Sequence, residues 1–296
     1  MNRIALGLMR LNNIDEENLY ELLVNSLKLG VNFIDLADIY CNGDSERKLG
    51  RVLFNHPDLR KELYIQTKVG IRKDIGGYDL SYEYIIKAVK DCLNRLNIEY
   101  LDCLLLHRID LLADAKEVAK AIKELKDNGL IKDFGVSNFN TSEIEYLKSE
   151  LKDIDIKYNQ VNLGIGNTTM LDSAMYTNVP LSKINYGDGN LLFYLKRENI
   201  KIQCWSPFQY GLFEGSIFDE EKYPLINEVL KEYADKYKTS KCAIATAFLL
   251  RIDPNLIVIT GSTNINHIKE CIDGESISLT KEDWYKIYRK TNHFLP

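Results

Sequence analysis

The chain has 296 residues, of which 45% are hydrophobic and 27% are charged, a composition typical of a folded globular protein rather than a disordered one. Its formal net charge of −5 argues against a nucleic-acid partner, which would require a basic surface. No apolar run approaches the roughly 20 residues that span a bilayer, and the amino terminus does not read as a secretory signal. We therefore expect a cytoplasmic protein with no membrane partner.

Short β-branched or apolar segments alternate with longer segments of helical period, which is the pattern of repeated βα units. Eight candidate strands can be counted, at residues 3–9, 31–37, 63–69, 101–107, 132–138, 156–162, 200–206 and 255–261. Eight strands close a barrel, so the sequence predicts an α/β fold, a (β/α)8 TIM barrel. No linker-like or low-complexity tract interrupts it, and we expect a single domain over residues 1–296.

Helix signals occupy the intervals between the strands. Residues 16–29 place leucines on one face, with Asp15 as the expected N-cap and Gly30 as the stop. The same design recurs in the segments 81–96, 114–128 and the one that follows Thr280.

Two connections, 163–189 and 207–224, are too long for simple turns, and loops of this length are usually functional. Both follow predicted strands, so both should emerge at the carboxyl-end face where barrel active sites lie. Aromatic residues in these loops are candidates either for lining a substrate pocket or for anchoring the loops: Tyr176, Tyr186, Tyr210 and Phe213.

Polar side chains appear at the carboxyl ends of successive predicted strands: Asp35 with Tyr40, then Lys68, then His107. Taken singly, each has an ordinary structural explanation, as a helix cap, a solvated strand end or a half-buried histidine. Together they place an acid, a phenol, an amine and an imidazole at one predicted opening, where buried charges must pair. Asp38 is expected to play no part.

Seven short motifs follow one another along the chain: "NFIDLADIY", "TKVG", "DCLLLHRID", "GVSNF", "NQVN", "WSPF" and "VITGSTN". In this order they resemble the aldo-keto reductase superfamily, with matches from Gly7 to about Glu270. The H-R-x-D form and the "CWSPF" region look closer to bacterial members and to the potassium-channel β-subunit-like branch than to the human steroid reductases.

The resemblance implies an NAD(P)H-dependent oxidoreductase that reduces a small aldehyde or ketone, with the family's catalytic residues at Asp35, Tyr40, Lys68 and His107. Tyr40 would donate the proton to the carbonyl oxygen. A free tyrosine has a pKa of about 10, so the ammonium of Lys68 is expected to lower it. Asp35 would hold Lys68 protonated, and His107 would orient the carbonyl.

The resemblance further implies a nicotinamide cofactor, and the chain has no G-x-G-x-x-G run of the Rossmann type. The expected carboxamide ligands are Ser137, Asn138 and Gln160, and Trp205 is the expected stacking partner of the ring. The residues expected beneath the ring and at the pyrophosphate are Gly7, Met9, Ser206, Phe208 and Leu212. Those expected at the adenosine phosphate are Gly261, Ser262, Thr263, Asn264, His267 and Glu270.

The adenosine-phosphate segment departs from the common family pattern. Many members have a lysine or arginine, an arginine and an asparagine where this chain has Gly261, His267 and Cys271. Arginine binds phosphate bidentately and histidine does not. A helix start rich in serine, threonine and asparagine still forms an anion site, so we expect NADPH and leave NADH open.

Two other classes compete with a reductase. A cofactor-binding redox sensor or auxiliary subunit would keep the fold and the same polar residues but act through a partner protein. A barrel lyase or isomerase would not need the carboxamide and stacking residues.

Six cysteines without a C-x-x-C pair and four histidines without an H-E-x-x-H pattern predict reduced thiols and no metal. The sequence does not predict an oligomeric state.

Overall fold

The computed structural model describes residues 3–176 and 188–291. The strands within them are β1 (Ile4–Gly7), β2 (Phe33–Asp35), β3 (Tyr64–Val69), β4 (Ile71–Arg72), β5 (Gly77–Tyr78), β6 (Leu101–Leu106), β7 (Ile131–Ser137), β8 (Tyr158–Asn162), β9 (Lys201–Trp205) and β10 (Ile257–Thr260). Eight of them form a closed barrel of parallel strands in the order β1–β10–β9–β8–β7–β6–β3–β2. The predicted (β/α)8 barrel is therefore confirmed, and each predicted strand contains an observed one or overlaps it.

Helices separate the barrel strands. They are α1 (Glu16–Lys28), α2 (Asp44–Asn55), α3 (Leu59–Glu62), α4 (Tyr82–Leu96), α5 (Ala115–Asp127), α6 (Thr141–Leu151), α7 (Thr169–Met175), α8 (Leu191–Arg197), α9 (Pro224–Tyr237), α10 (Lys241–Leu250), α11 (Ile265–Asp273) and α12 (Lys281–Lys290). No helix in the described ranges is long and apolar enough to cross a membrane.

The expected helix caps are present. The carboxylate of Asp15 accepts a hydrogen bond from the backbone N–H of Asn18 at 2.8 Å, which begins α1. Thr280 caps α12 in the same way, with the N–H of Asp283 at 3.1 Å from its hydroxyl. Gly30 follows α1 with a φ of +81°, a left-handed conformation that glycine adopts without strain. These local contacts fix where the helices begin and end.

The chain forms two compact units. The first contains Ile4–Gln160, and its core includes the fully buried Ile34, Ile65 and Leu104. The second contains Arg3 and the residues from Val161 onward. In the second unit Trp284 stacks on Phe248 with ring centroids 4.8 Å apart, and its indole N–H donates to the Phe248 carbonyl at 2.9 Å. The prediction of a single domain over the whole chain stays a prediction.

The connections that follow β3 and β8 contain short elements that the sequence did not reveal. Strands β4 and β5 form an antiparallel hairpin after β3, too short to show an alternating pattern. Part of the connection 163–189 folds as α7, and Tyr176, at its C-cap, is buried. Tyr210 stacks on Tyr223 at 4.5 Å, which favours its interpretation as a loop anchor. Tyr186 lies outside the described residues.

Candidate active site

Lys68 lies at the centre of the first unit's polar cluster. It is fully buried in β3, and its Nζ lies 2.8 Å from each carboxylate oxygen of Asp35. The same ammonium donates to the Tyr40 hydroxyl at 3.1 Å and to the Leu36 carbonyl at 2.6 Å. A buried cation is costly unless it is paired and hydrogen-bonded. Three oxygen-bearing partners satisfy it here, so Lys68 is held as an ammonium in contact with the phenol.

Asp35, at the end of β2, is held by two further donors. The side-chain amides of Gln66 and Gln160 donate to its Oδ1 atom at 2.7 and 2.8 Å. Gln66 was missed by the sequence reasoning. A detectable signal existed, because side chains alternate along a strand and Gln66 therefore shares a face of β3 with Lys68. The amide nitrogen of Gln160 donates one of its two hydrogens to Asp35.

Tyr40 and His107 complete the cluster. Tyr40 begins a 3₁₀ helix, Tyr40–Gly43, that follows β2. The His107 ring lies edge-on to the Tyr40 ring, with centroids 6.2 Å apart. The backbone N–H of His107 donates to the Val69 carbonyl at 2.8 Å, which fixes the histidine just beyond β6. Its Nδ1 atom is buried and has no hydrogen-bond partner among the described residues. A polar group of a ligand would satisfy this nitrogen.

Burial and neighbouring charges set the protonation of these groups. Burial alone would lower the pKa of Lys68, but the Asp35 carboxylate and Tyr40 outweigh it, and the pKa is raised. For His107, burial and then the charge of Lys68 lower the pKa well below its usual range. At neutral pH the cluster therefore contains an ammonium and a neutral imidazole.

The expectation for Tyr40 needs correction. Lys68 does act to lower the pKa of the phenol, as expected, but burial acts more strongly in the opposite direction, and the net pKa is raised above 10.0. The sequence could not show this because desolvation depends on the neighbours that tertiary structure brings in. Tyr40 is consequently protonated at neutral pH, which is the state a proton donor requires.

The predicted carboxamide ligands lie beside His107. Asn138 adopts a left-handed conformation with a φ of +60°, and its side-chain amide donates to the His107 carbonyl at 3.3 Å and to the Ser137 hydroxyl at 2.9 Å. The Ser137 hydroxyl donates to the backbone carbonyl of Gln160 at 3.0 Å. The structure thus brings together all three predicted carboxamide residues.

The first strand and the turn after Tyr40 also meet. Gly7 pairs with Asp35 in the ladder between β1 and β2. The Cys41 thiol donates to the backbone carbonyl of Met9 at 3.4 Å. Gly7 and Met9 are therefore beside the strand end that carries the cluster.

In the second unit, the half-buried Trp205 ends β9, and its ring centroid lies 5.7 Å from that of Phe213. Ser206 follows with a φ of +49°. Phe208 packs against Phe218 at 5.6 Å, whereas Leu212 is 65% exposed.

The predicted phosphate segment follows β10 and starts α11. The Asn264 side chain caps this helix by accepting from the N–H of Asn266 at 2.9 Å. The Ser262 hydroxyl accepts from the N–H of Asn264 at 3.1 Å and lies 3.3 Å from Nδ1 of His267. Gly261 and Thr263 are exposed, and Glu270 is half-buried on the helix. The serine, the histidine and a helix N-terminus are therefore assembled at one point, where an anion is favoured.

A family model described as the Aldo/keto reductase family matches residues 3–292. The chain belongs to the aldo-keto reductase family. As a member it is an enzyme, an oxidoreductase of the class that reduces carbonyl compounds with NAD(P)H. Its predicted place in the potassium-channel β-subunit-like branch stays a prediction.

Relatives of this aldo-keto reductase match it over nearly their full length. It is 29% identical to Oxidoreductase YdhF of Escherichia coli over 97% of this chain and 92% of that protein. It is 27% identical to a 6-dehydroglucose reductase of Agrobacterium fabrum, over 97% and 93% of the two chains. A crystal structure of an aldo-keto reductase from Klebsiella pneumoniae in complex with NADPH has the same fold, with a TM-score of 0.75 at 20% identity over 98% and 91% of the chains.

Proposed function

We propose that this enzyme reduces a small aldehyde or ketone to the alcohol, with Tyr40 as proton donor, Lys68 and Asp35 as its support, and His107 orienting the carbonyl. The observation that carries the proposal is the position of the Lys68 ammonium, buried between the Asp35 carboxylate and the Tyr40 hydroxyl. An ion pair between Lys68 and Asp35 that only stabilised the fold would not require the contact with the Tyr40 hydroxyl. The hydroxyl at 3.1 Å from the ammonium is instead suited to releasing a proton in response to developing charge.

A bound NAD(P)H would supply the hydride that is delivered to the carbonyl carbon. As negative charge grows on the carbonyl oxygen, Tyr40 transfers its proton to that oxygen. The ammonium at 3.1 Å stabilises the tyrosinate that remains. Asp35 keeps Lys68 in place through two contacts of 2.8 Å, and Gln66 and Gln160 in turn keep Asp35 in place. His107 is neutral, so it can hydrogen-bond to the carbonyl without competing as a stronger acid.

The side chains beside His107 fit the nicotinamide end of the cofactor. Asn138 donates to the His107 backbone carbonyl and to the Ser137 hydroxyl, and the buried Nδ1 of His107 needs a polar partner. The stacking role of Trp205 and the contacts of Ser206, Phe208, Leu212, Gly7 and Met9 are proposed from the family resemblance.

We favour NADPH over NADH on the chemistry of the segment from Gly261 to Glu270. The Ser262 hydroxyl, His267 and the start of α11 offer hydrogen bonds and a positive helix end to a phosphate. No arginine is present in this segment to bind phosphate bidentately. We therefore expect a moderate preference rather than an absolute one.

The test combines cofactor binding with turnover. NADPH and NADH are titrated by the quenching of tryptophan fluorescence, and a panel of aldehydes and ketones is then assayed by the loss of absorbance of the reduced nicotinamide. Tyr40→Phe should lower kcat by about 10²- to 10⁴-fold, the usual worth of a general acid, while leaving the NADPH Kd nearly unchanged. Tyr82→Phe is the matched control because it removes a phenol hydroxyl that contacts Glu124 on the surface.

The possible outcomes distinguish a reductase from a cofactor-binding sensor and NADPH from NADH. Binding with carbonyl-dependent oxidation of the cofactor supports the reductase, and unchanged turnover in Tyr40→Phe refutes the assigned mechanism. Binding without turnover across the panel favours a cofactor-binding sensor. For cofactor choice, Ser262→Ala should weaken NADPH binding about 10-fold or more, as expected for one hydrogen bond to a charged group, and leave NADH binding unchanged. An equal loss for both cofactors would contradict the phosphate assignment.

A further inference from the structure

The second unit contains two cysteines that the proposed reaction does not use. Cys242 on α10 and Cys271 on α11 have their Sγ atoms 3.5 Å apart, and both are free thiols. Both are buried, Cys271 almost completely and Cys242 with 8% of its surface exposed. The distance is sustained by close packing at Gly274, directly after α11, where an added Cβ would lie 2.7 Å from the Ala243 carbonyl of α10.

The thiol pair is connected to the proposed phosphate segment. Cys271 directly follows Glu270 on α11, and this helix begins at Ile265, with Asn264 of the phosphate segment as its N-cap. A displacement of Cys271 therefore acts on the helix that carries His267 and Glu270 and starts beside Ser262.

We propose that Cys242 and Cys271 form a reversible disulfide when the protein meets a peroxide, and that this disulfide weakens NAD(P)H binding. The first part stands on the geometry alone, whereas the effect on the cofactor rests on the function proposed above. A disulfide requires the sulfurs to come within about 2.05 Å, so they must approach by about 1.5 Å. That movement draws Cys271 on α11 towards α10.

The chemistry balances with hydrogen peroxide as the oxidant. One thiol of the pair loses its proton, and its sulfur attacks one peroxide oxygen; the O–O bond breaks, the departing hydroxide takes up that proton, and a sulfenic acid and water result. The second thiol then loses its proton and attacks the sulfenic sulfur, which releases a second water and forms the S–S bond. Two thiols are oxidised, and one peroxide is reduced to two waters. Either sulfur can act first, because either thiol can donate to the other, and the thiolate is the reactive form.

The experiment treats the reduced full-length protein with increasing hydrogen peroxide and maps the product by peptide mass spectrometry. We expect a linked Cys242–Cys271 peptide, a fall in titratable thiols from six to four, and a rise of about 3- to 10-fold in the NADPH Kd, all reversed by dithiothreitol. Cys242→Ala should bind NADPH normally when reduced and should show no rise after peroxide. Cys204→Ala removes a buried thiol elsewhere and should behave like the wild type.

Three results would overturn the proposal or part of it. Absence of the linked peptide at peroxide doses that already oxidise the more exposed Cys41 refutes the disulfide. A linked peptide with an unchanged NADPH Kd refutes the effect on the cofactor. If the reduced wild type binds neither NADPH nor NADH, the proposed function fails, while the linked peptide still decides the disulfide on its own.

Discussion

Asp38 offers a quantitative test of how burial acts beside the polar cluster around Lys68. It follows β2 by three residues, and its backbone N–H donates to the Lys68 carbonyl at 3.0 Å. The Oδ1 atom of its carboxylate is buried and has no hydrogen-bond partner among the described residues. Burial, followed by the charge of Glu46, raises the pKa of Asp38 from 3.8 to about 7. No pattern in the sequence distinguishes this acid from an ordinary strand end.

The perturbation is Asp38→Asn, which keeps the shape and removes the charge. A carboxyl whose pKa is raised on folding binds its proton more tightly in the folded state, so stability falls as the pH rises from 3.8 through about 7. At about 1.4 kcal/mol for each pH unit, this gap corresponds to about 4 kcal/mol of unfolding free energy. The wild type should lose this amount between pH 4 and pH 8, and the variant should not.

The assay is urea unfolding at pH 5 and pH 8.5, monitored by the fluorescence of the two tryptophans. The difference in unfolding free energy between Asp38→Asn and the wild type should favour the variant by about 2.5–3 kcal/mol more at pH 8.5 than at pH 5, because part of the effect is already present at pH 5. Asp127→Asn is the control, since it alters an exposed helix-surface pair with Lys123. Equal differences at the two pH values would refute the reasoning that Asp38 is forced to ionise in a buried site.

The remaining predictions concern the cluster and its packing. Because burial raises the pKa of Tyr40 above 10.0, kcat for carbonyl reduction should not fall between pH 6 and pH 9; a loss in that range would show that the phenol ionises early. Arg95→Met removes the positive partner of the fully buried Glu46 carboxylate and leaves it the Thr67 hydroxyl, so it should lower the free energy of unfolding by about 3–5 kcal/mol in urea. Arg51→Met is the control: Arg51 belongs to an exposed ion pair with Glu16, and its loss should change stability by less than about 1 kcal/mol. Gly50→Ala should lower the free energy of unfolding by about 3 kcal/mol, because the new Cβ would lie 2.2 Å from the Arg95 carbonyl. Gly261→Ala is the control: its Cβ has no atom within 4 Å, so the free energy of unfolding should be nearly unchanged.

The fold was predictable to a large extent because its signals are local. A buried strand such as 101–107 is mostly apolar, with four leucines and a cysteine, and the observed β6 covers Leu101–Leu106. Caps at Asp15 and Thr280 involve residues three positions apart, which a linear sequence displays directly. The hairpin of β4 and β5 escaped prediction because two-residue strands have no measurable period.

The sequence predicted which residues belong to the candidate site, but not the contacts that hold them. The order of motifs along the chain pointed to Asp35, Tyr40, Lys68 and His107, because strand ends can be located from the apolar runs that precede them. The hydrogen bonds that the Gln66 and Gln160 amides donate to Asp35 were not predicted. They reach Asp35 from 31 and 125 residues away, and no sequence pattern states which buried amides will converge on one carboxylate.

What the sequence by itself determined is the alternation of strands and helices, the barrel topology and the family, since these depend on hydrophobic period, capping and the order of motifs. Only the tertiary structure decided the protonation of Tyr40 and Asp38 and the contact between Cys242 and Cys271. The physical reason is that desolvation and side-chain contact depend on which distant segments pack together. A buried charge is governed by its neighbours in space, and those neighbours lie far away along the chain.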